Sequence, residues 1–258
     1  MNILEKIVEK KRDEVSRLLK NGIRPPASDP GPRRPFKDSL IKANPLGLIA
    51  EAKKASPSKG LLCPDFDPEL LCQQYQEGGA DAMSVLTDRD FFQGRLEYLA
   101  TVKKGCDLPV LRKDFLIHHV QVEEADLWGA DAILLICAVL EPSLLKELLH
   151  HAKERGLDCL VEVHDEAEAE RALDAGSDLI GINNRNLKDF SVSLDTSLRV
   201  RRVIPESIPV VSESGIRDYH DIQRLMEGNI QGVLIGETLV KASNRQEKIR
   251  ELKGIQRS

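Results

Sequence analysis

The chain has 258 residues, 41% hydrophobic and 31% charged, which suits one large globular domain or two small ones. Its net charge of −5 argues against a general nucleic-acid binder, and no apolar run approaches the roughly 20 residues of a membrane span. The five cysteines form no C-x-x-C pair and are expected to be reduced thiols of a cytoplasmic protein, with Cys137 and Cys159 packing in apolar strands.

Residues 2–20 place Ile3, Leu4, Ile7, Val8, Val15, Leu18 and Leu19 at helical spacing. The start is charged and amphipathic, unlike a secretory signal. The Pro/Gly-rich stretch 24–35 predicts an irregular connector. A regular alternation then begins. Strands are expected near 47–52, 82–87, 108–113, 132–137, 158–163, 178–183, 208–213 and 231–236. Helices are expected near 68–78, 95–104, 118–128, 142–155, 165–175, 195–203, 218–227 and 243–253. Gly79-Ala-Asp-Ala-Met83, Gly129-Ala-Asp-Ala-Ile133 and Gly176-Ser-Asp-Leu-Ile180 each end a helix on glycine and open a strand. Eight such units predict an α/β chain folded as a (β/α)8 TIM barrel over residues 47–258. Residues 1–46 are then an N-terminal helical extension and connector covering one mouth. A doubly wound sheet fits less well, because eight units fill the chain and no G-x-G-x-x-G occurs.

Active sites of this barrel class sit at the C-terminal strand ends. Side chains alternate along a strand, so Ile49, Glu51 and Lys53 share one face. Lys113 shares a face with Leu111, and Glu162 lies inside a strand between two valines. A carboxylate in that setting is seldom left unpaired. Asn183 and Arg185 end the sixth strand, Glu213 and Ser214 the seventh, and Gly236 and Glu237 the eighth. Barrel closure points Glu51, Lys53, Lys113, Glu162 and Asn183 toward one mouth, where acids and bases shift one another's proton affinities. Gly215 and Gly236 precede helical segments, in loops that frequently hold phosphate in this fold. Backbone N–H groups are the expected ligands there, with the Glu237 carboxylate turned away. His118-His119 and His150-His151 are expected on solvated helix faces with rings pointing apart. His164 either faces the mouth or caps the next helix. No Cys/His cluster has zinc spacing.

These strand ends resemble the indole-3-glycerol phosphate synthase family along nearly the whole chain. The matching motifs are Ile49-Ala-Glu-Ala-Lys-Lys-Ala-Ser-Pro-Ser-Lys-Gly60, Leu111-Arg-Lys-Asp-Phe115, Val161-Glu-Val163, Gly181-Ile-Asn-Asn-Arg-Asn-Leu187, Ser212-Glu-Ser-Gly215 and Leu234-Ile-Gly236. The resemblance implies ring closure of 1-(2-carboxyphenylamino)-1-deoxyribulose 5-phosphate to indole-3-glycerol phosphate, with loss of carbon dioxide and water. It implies Lys113 as general acid and Glu162 in later proton transfer. Glu51, Lys53, Asn183 and Ser214 complete the catalytic set. Arg185, Glu213, Ser56 and Ser58 join the substrate contacts, and Gly215, Gly236 and Glu237 surround the phosphate. Pro57, Phe92, Phe115, Leu134, Leu187 and Leu234 match an apolar slot for the anthranilate ring. The N-terminal helix lacks the aromatic residue that often lies over the substrate in this family.

The residue types suit the reaction. An ammonium at Lys113 can protonate the ketone oxygen as the ring closes, which is typically worth roughly a hundredfold to ten-thousandfold. Loss of carbon dioxide restores aromaticity, so neither a cofactor nor a metal is expected. Glu162 with Lys113 or Glu51 could serve dehydration, and Lys53 or Arg185 could hold the substrate carboxylate. The expected partner is a phosphorylated small molecule, with no nucleic acid, membrane or obligate protein partner. A phosphoribosylanthranilate isomerase would instead need a Cys/Asp acid–base pair. A third reading is a non-catalytic metabolite-binding barrel that retains the phosphate cradle; intact Lys113 and Glu162 count against it.

Overall fold

The computed structural model describes residues 3–57, 59–186 and 189–255. Helix α1 (Ile3–Asn21) and short helix α2 (Phe36–Ile41) precede strand β1 (Gly47–Ala52). A small antiparallel ribbon follows, β2 (Ala55–Ser56) with β3 (Gly60–Leu61). The chain then alternates: α3 (Pro68–Gly78), β4 (Ala82–Leu86), α4 (Glu97–Gly105), β5 (Val110–Lys113), α5 (His119–Leu127), β6 (Ala132–Ile136), α6 (Pro142–Glu154), β7 (Asp158–Val163), α7 (Glu166–Asp174), β8 (Ile180–Asn183), α8 (Asp195–Val200), β9 (Val210–Glu213), α9 (Tyr219–Glu227), β10 (Gly232–Ile235), α10 (Glu237–Val240) and α11 (Arg245–Leu252). Strands β1 and β4 to β10 pair in parallel and close into an eight-stranded barrel, with β1 between β10 and β4. This is the (β/α)8 fold expected from the alternation. Among the described residues no helix is long and apolar enough to cross a membrane.

Strand alternation divides the core. Leu48, Ala50, Met83, Val85, Ile133, Leu135, Val161, Val163, Val233 and Ile235 pack outward against the helices. Ile49, Ala82, Leu111, Ala132, Leu134, Leu160, Val211 and Leu234 fill the barrel interior. Phe36 and Leu40 of α2 join this inner cluster, so α2 plugs the N-terminal end of the barrel. Gly47 makes this possible, since a Cβ there would lie 2.8 Å from the Leu40 Cα.

The Gly-Ala-Asp repeats do more than stop helices. Asp81 accepts from the Leu48 N–H and Asp131 from the Val110 N–H, each at 2.8 Å, anchoring the neighbouring strand. Asp131 also receives the Arg34 N–H at 2.6 Å and the Lys103 ammonium at 2.8 Å. Lys37 pairs with Asp178. The connector is therefore bolted beneath the barrel.

Helix α1 docks at the opposite end. Lys11, only 1% exposed, lies 2.9 Å from Asp88 and 2.8 Å from Asp114, which follow β4 and β5. Arg112 binds Asp114 and Glu124 from below. The extension thus reaches both ends of the barrel, where sequence reasoning expected one covered mouth. The histidine expectation needs a second correction. His118 caps α5 in an extended conformation, its Nδ1 accepting from the Val120 N–H. Its ring therefore lies 4.0 Å from that of His119 instead of pointing away. All five cysteines are buried and free.

Candidate active site

Above the apolar floor, the inward row of four strands turns charged. Glu51 follows Ile49, Lys113 follows Leu111, Glu162 follows Leu160, and Glu213 follows Val211. The Lys113 ammonium lies 3.3 Å from Glu162 and 3.5 Å from Glu213. Lys53 binds Glu51. Asn183 bonds the Glu162 carboxylate and accepts the Arg185 N–H at 3.0 Å. Residues spread over more than 160 positions thus meet at one rim.

Two glycines make room for the carboxylates. A Cβ on Gly181 would stand 2.3 Å from the Glu213 Oε1, and one on Gly236 would stand 2.1 Å from the Glu51 Oε2. Any larger residue would push these acids out of place.

Burial of three acids near two ammoniums sets their protonation. Burial disfavours charge on Glu51, but Lys53 and Lys113 outweigh it and hold this carboxyl below its usual range. Burial likewise opposes charge on Glu162, and Lys113, His164 and Asn183 outweigh it. Glu213 goes the other way. Burial, with Glu162 and Glu51 nearby, pushes it up to about 8 against the pull of Lys113. Two acids are therefore anions, and the third carries a proton at neutral pH. Lys113 loses solvation on burial, yet Glu162, Glu213 and Glu51 raise its proton affinity and keep it an ammonium.

The aromatic pair Phe92 and Phe115 lies beside this cluster, ring centroids 6.1 Å apart. Phe115 packs against the inner cluster that contains Leu134 and Leu234. Asp88 accepts the N–H groups of Phe91 and Phe92, and Asp114 that of Phe115. The carboxylates that hold α1 also shape the loops carrying both rings. Neither Lys11 nor Asp88 was singled out from sequence. Only an unusual cation on the buried face of an amphipathic helix could have flagged Lys11.

On the far side, Ser214 and Gly215 have φ of +69° and +89°. Glycine suits this left-handed turn, and Ser214 is held in it. Asn184 does the holding, since its side-chain NH2 donates to the Ser214 carbonyl at 3.0 Å and to the Ser212 hydroxyl at 2.9 Å. Its amide oxygen accepts from Ser197. Asn184 was also missed, because an Asn beside Asn183 gives no pattern signal. The Glu237 carboxylate lies 3.0 Å from Lys59 and 2.6 Å from Lys241, whose charges draw it down to about 2.

Some expected residues stand apart from the charged cluster. Ser56 and Pro57 belong to the β2–β3 ribbon, with Pro57 exposed. Arg185 donates a long 3.5 Å bond to the Phe190 carbonyl. Ser58 and Leu187 lie outside the described residues.

The chain is similar to known proteins. The family model for indole-3-glycerol phosphate synthase matches residues 4–252. An indole-3-glycerol phosphate synthase of Desulfotalea psychrophila is 51% identical, over 97% of this chain and 98% of that protein. That of Chlorobium limicola is 50% identical, over 93% and 95%. Solved structures share the fold at low identity. Thiamine phosphate pyrophosphorylase from Pyrococcus furiosus has a TM-score of 0.62 at 17% identity, covering 86% of this chain and 97% of its own. The 3-hexulose-6-phosphate synthase of Salmonella typhimurium has a TM-score of 0.63 at 13% identity, covering 81% and 98%. A barrel with this rim, matched along nearly its whole length, belongs to the indole-3-glycerol phosphate synthase family.

Proposed function

We propose that the chain closes 1-(2-carboxyphenylamino)-1-deoxyribulose 5-phosphate to indole-3-glycerol phosphate, releasing carbon dioxide and water. One observation carries the mechanism: the Lys113 ammonium stands among Glu162, Glu213 and Glu51 directly above an apolar floor. The barrel from residue 47 holds the chemistry, and the first 46 residues brace it.

The anthranilate ring lies between Phe92, Phe115, Leu134 and Leu234, against Pro57. The ring carbon bearing the carboxylate attacks the ketone while Lys113 protonates its oxygen. The carbon–carboxylate bond then breaks, and its electron pair restores the aromatic ring. Glu162, held as an anion, takes the ring-side proton during dehydration. Glu51 holds Lys53 at the end of the first strand, and Asn183 fixes the Glu162 carboxylate. Lys53 is already committed to Glu51, which favours Arg185 as partner of the substrate carboxylate. The phosphate sits on backbone N–H groups of the loops at Ser214, Gly215 and Gly236. Lys59 and Lys241 neutralise Glu237, so its carboxylate need not repel the phosphate.

The decisive assay mixes purified protein with the carboxyphenylamino substrate and follows indole fluorescence. A rising signal is expected. Tight binding with no signal would replace catalysis with a metabolite-binding role. Lys113→Ala should lower turnover by roughly a hundredfold to ten-thousandfold with little change in affinity. A loss confined to binding would refute the general-acid assignment.

A further inference from the structure

Proton accounting exposes a need that the mouth alone does not meet. The substrate carboxylate leaves as neutral carbon dioxide, so each turnover consumes one proton. Lys113 gives one to the ketone oxygen, and the departing hydroxyl needs another. The ring-side carbon returns only one, to Glu162. The difference must come from within the protein while bound substrate covers the mouth.

The structure holds a buried route. The two oxygens of Glu162 serve different partners. Oε2 lies 3.3 Å from the Lys113 ammonium, while Oε1 lies 3.5 Å from the Nε2 of His164. That Nε2 is buried and has no hydrogen-bond partner. The other ring nitrogen, Nδ1, lies 3.0 Å from the Glu168 Oε2, which also accepts the His164 backbone N–H at 2.8 Å. Glu168 is itself fixed, since its own N–H donates to Asp165 at 2.8 Å. Arg171 lies 3.7 Å from its other oxygen. A histidine oriented by a carboxylate behind it presents its free nitrogen to the group in front. Asp165, not His164, caps α7, so the ring is left for this second task.

We propose that His164, oriented by Glu168, is a positioning residue that resupplies the consumed proton to Lys113 through Glu162. This rests on Glu162 and Lys113 being the base and acid of the reaction. The imidazolium N–H bond at Nε2 breaks and an O–H bond forms on Glu162. The Glu162 carboxyl then gives a proton to the Lys113 amine, restoring carboxylate and ammonium. Once product has left, solvent in the reopened mouth returns a proton to the buried Nε2 by the reverse path through Glu162, so the ring is a proton reservoir refilled between turnovers. The acidic groups facing the ring are Glu162 from β7, Glu168 from α7 and Glu213 from β9, the last protonated at neutral pH. Burial disfavours the imidazolium, but Glu168 and Glu162 outweigh it and raise its proton affinity above the ordinary value.

The test is His164→Gln assayed from pH 6 to 9, with and without added imidazole. Turnover should fall by about tenfold or more at unchanged half-saturation. It should recover as imidazolium is added, which a purely structural role would not produce. Glu168→Gln keeps the imidazole but removes its clamp. The charged form is lost as pH rises, so the alkaline decline of turnover should move to lower pH in this variant. It decides the question if His164→Gln fails to fold. Turnover of His164→Gln within twofold of wild type and indifferent to imidazole would overturn the relay, as would an unmoved decline in Glu168→Gln. Full activity of Glu162→Gln would instead overturn the base assignment beneath it.

Discussion

Replacing Lys11 by methionine keeps the aliphatic stem but deletes the ammonium that lies within 2.9 Å of Asp88, Asp114 and Glu14. Asp88 and Asp114 are 1% and 2% exposed at their side chains, so water cannot replace the lost partner. Breaking a buried pair from one side costs about 3–5 kcal/mol. Asp114 keeps Arg112 and the Phe115 N–H, and Asp88 keeps two loop N–H groups, which places the loss at the lower end. Urea unfolding at pH 7 reads this directly. Burial opposes charge on Asp114, but Lys11 and Arg112 outweigh it and depress its proton affinity. Stability from a depressed carboxyl is present above its unfolded value and disappears as pH falls. The gap between wild type and variant should therefore narrow below about pH 4. The same aspartates shape the loops of Phe92 and Phe115, so half-saturation should rise as well. A stability loss under about 1 kcal/mol with unchanged half-saturation would refute the clamp.

Three further outcomes follow from the site and its supports. Glu213 titrates at about 8 in the fold, so between the ordinary glutamate value near 4.3 and pH 8 the folded state binds the extra proton and its stability falls as pH rises. Glu213→Gln should flatten that decline in thermal melts; an unchanged slope would show that Glu213 is ionised in the fold. Gly236→Ala directs a Cβ at the Glu51 carboxylate and should lower turnover by as much as about a hundredfold; wild-type kinetics would mean that Glu51 can shift without penalty. Phe36→Ala should cost about 3–5 kcal/mol in denaturant while leaving half-saturation unchanged, because α2 seals the end away from the rim; an altered half-saturation would show that the plug communicates with the site.

The barrel strands were legible as short apolar runs, several of which change character on alternate residues at the C-terminal end. Ile49 to Glu51 and Leu160 to Glu162 both show the switch from floor to rim. Helix α2 was not legible. It has six residues, too few for a helical period to declare itself, and it follows a proline-rich run. The four-residue α10 and the two-residue strands β2 and β3 escaped for the same reason. The charged rim followed from strand-end positions, and the proposed phosphate loops rest on glycine placement. Protonation did not, since nothing in the sequence distinguishes Glu213 from Glu162. That difference arises from the number of cations each meets after closure. Lys11, Asn184 and Glu168 also escaped, because each acts by supporting another residue across a long stretch of chain.

The amino-terminal strap has a consequence for timing. It leaves the ribosome before the barrel, yet its attachment points are made late: Lys37 waits for Asp178, 141 residues downstream. Until the sixth barrel strand is synthesised, this segment has no complete berth. Its fastening therefore reports that most of the wall has been assembled, and such distant contacts make maturation slow.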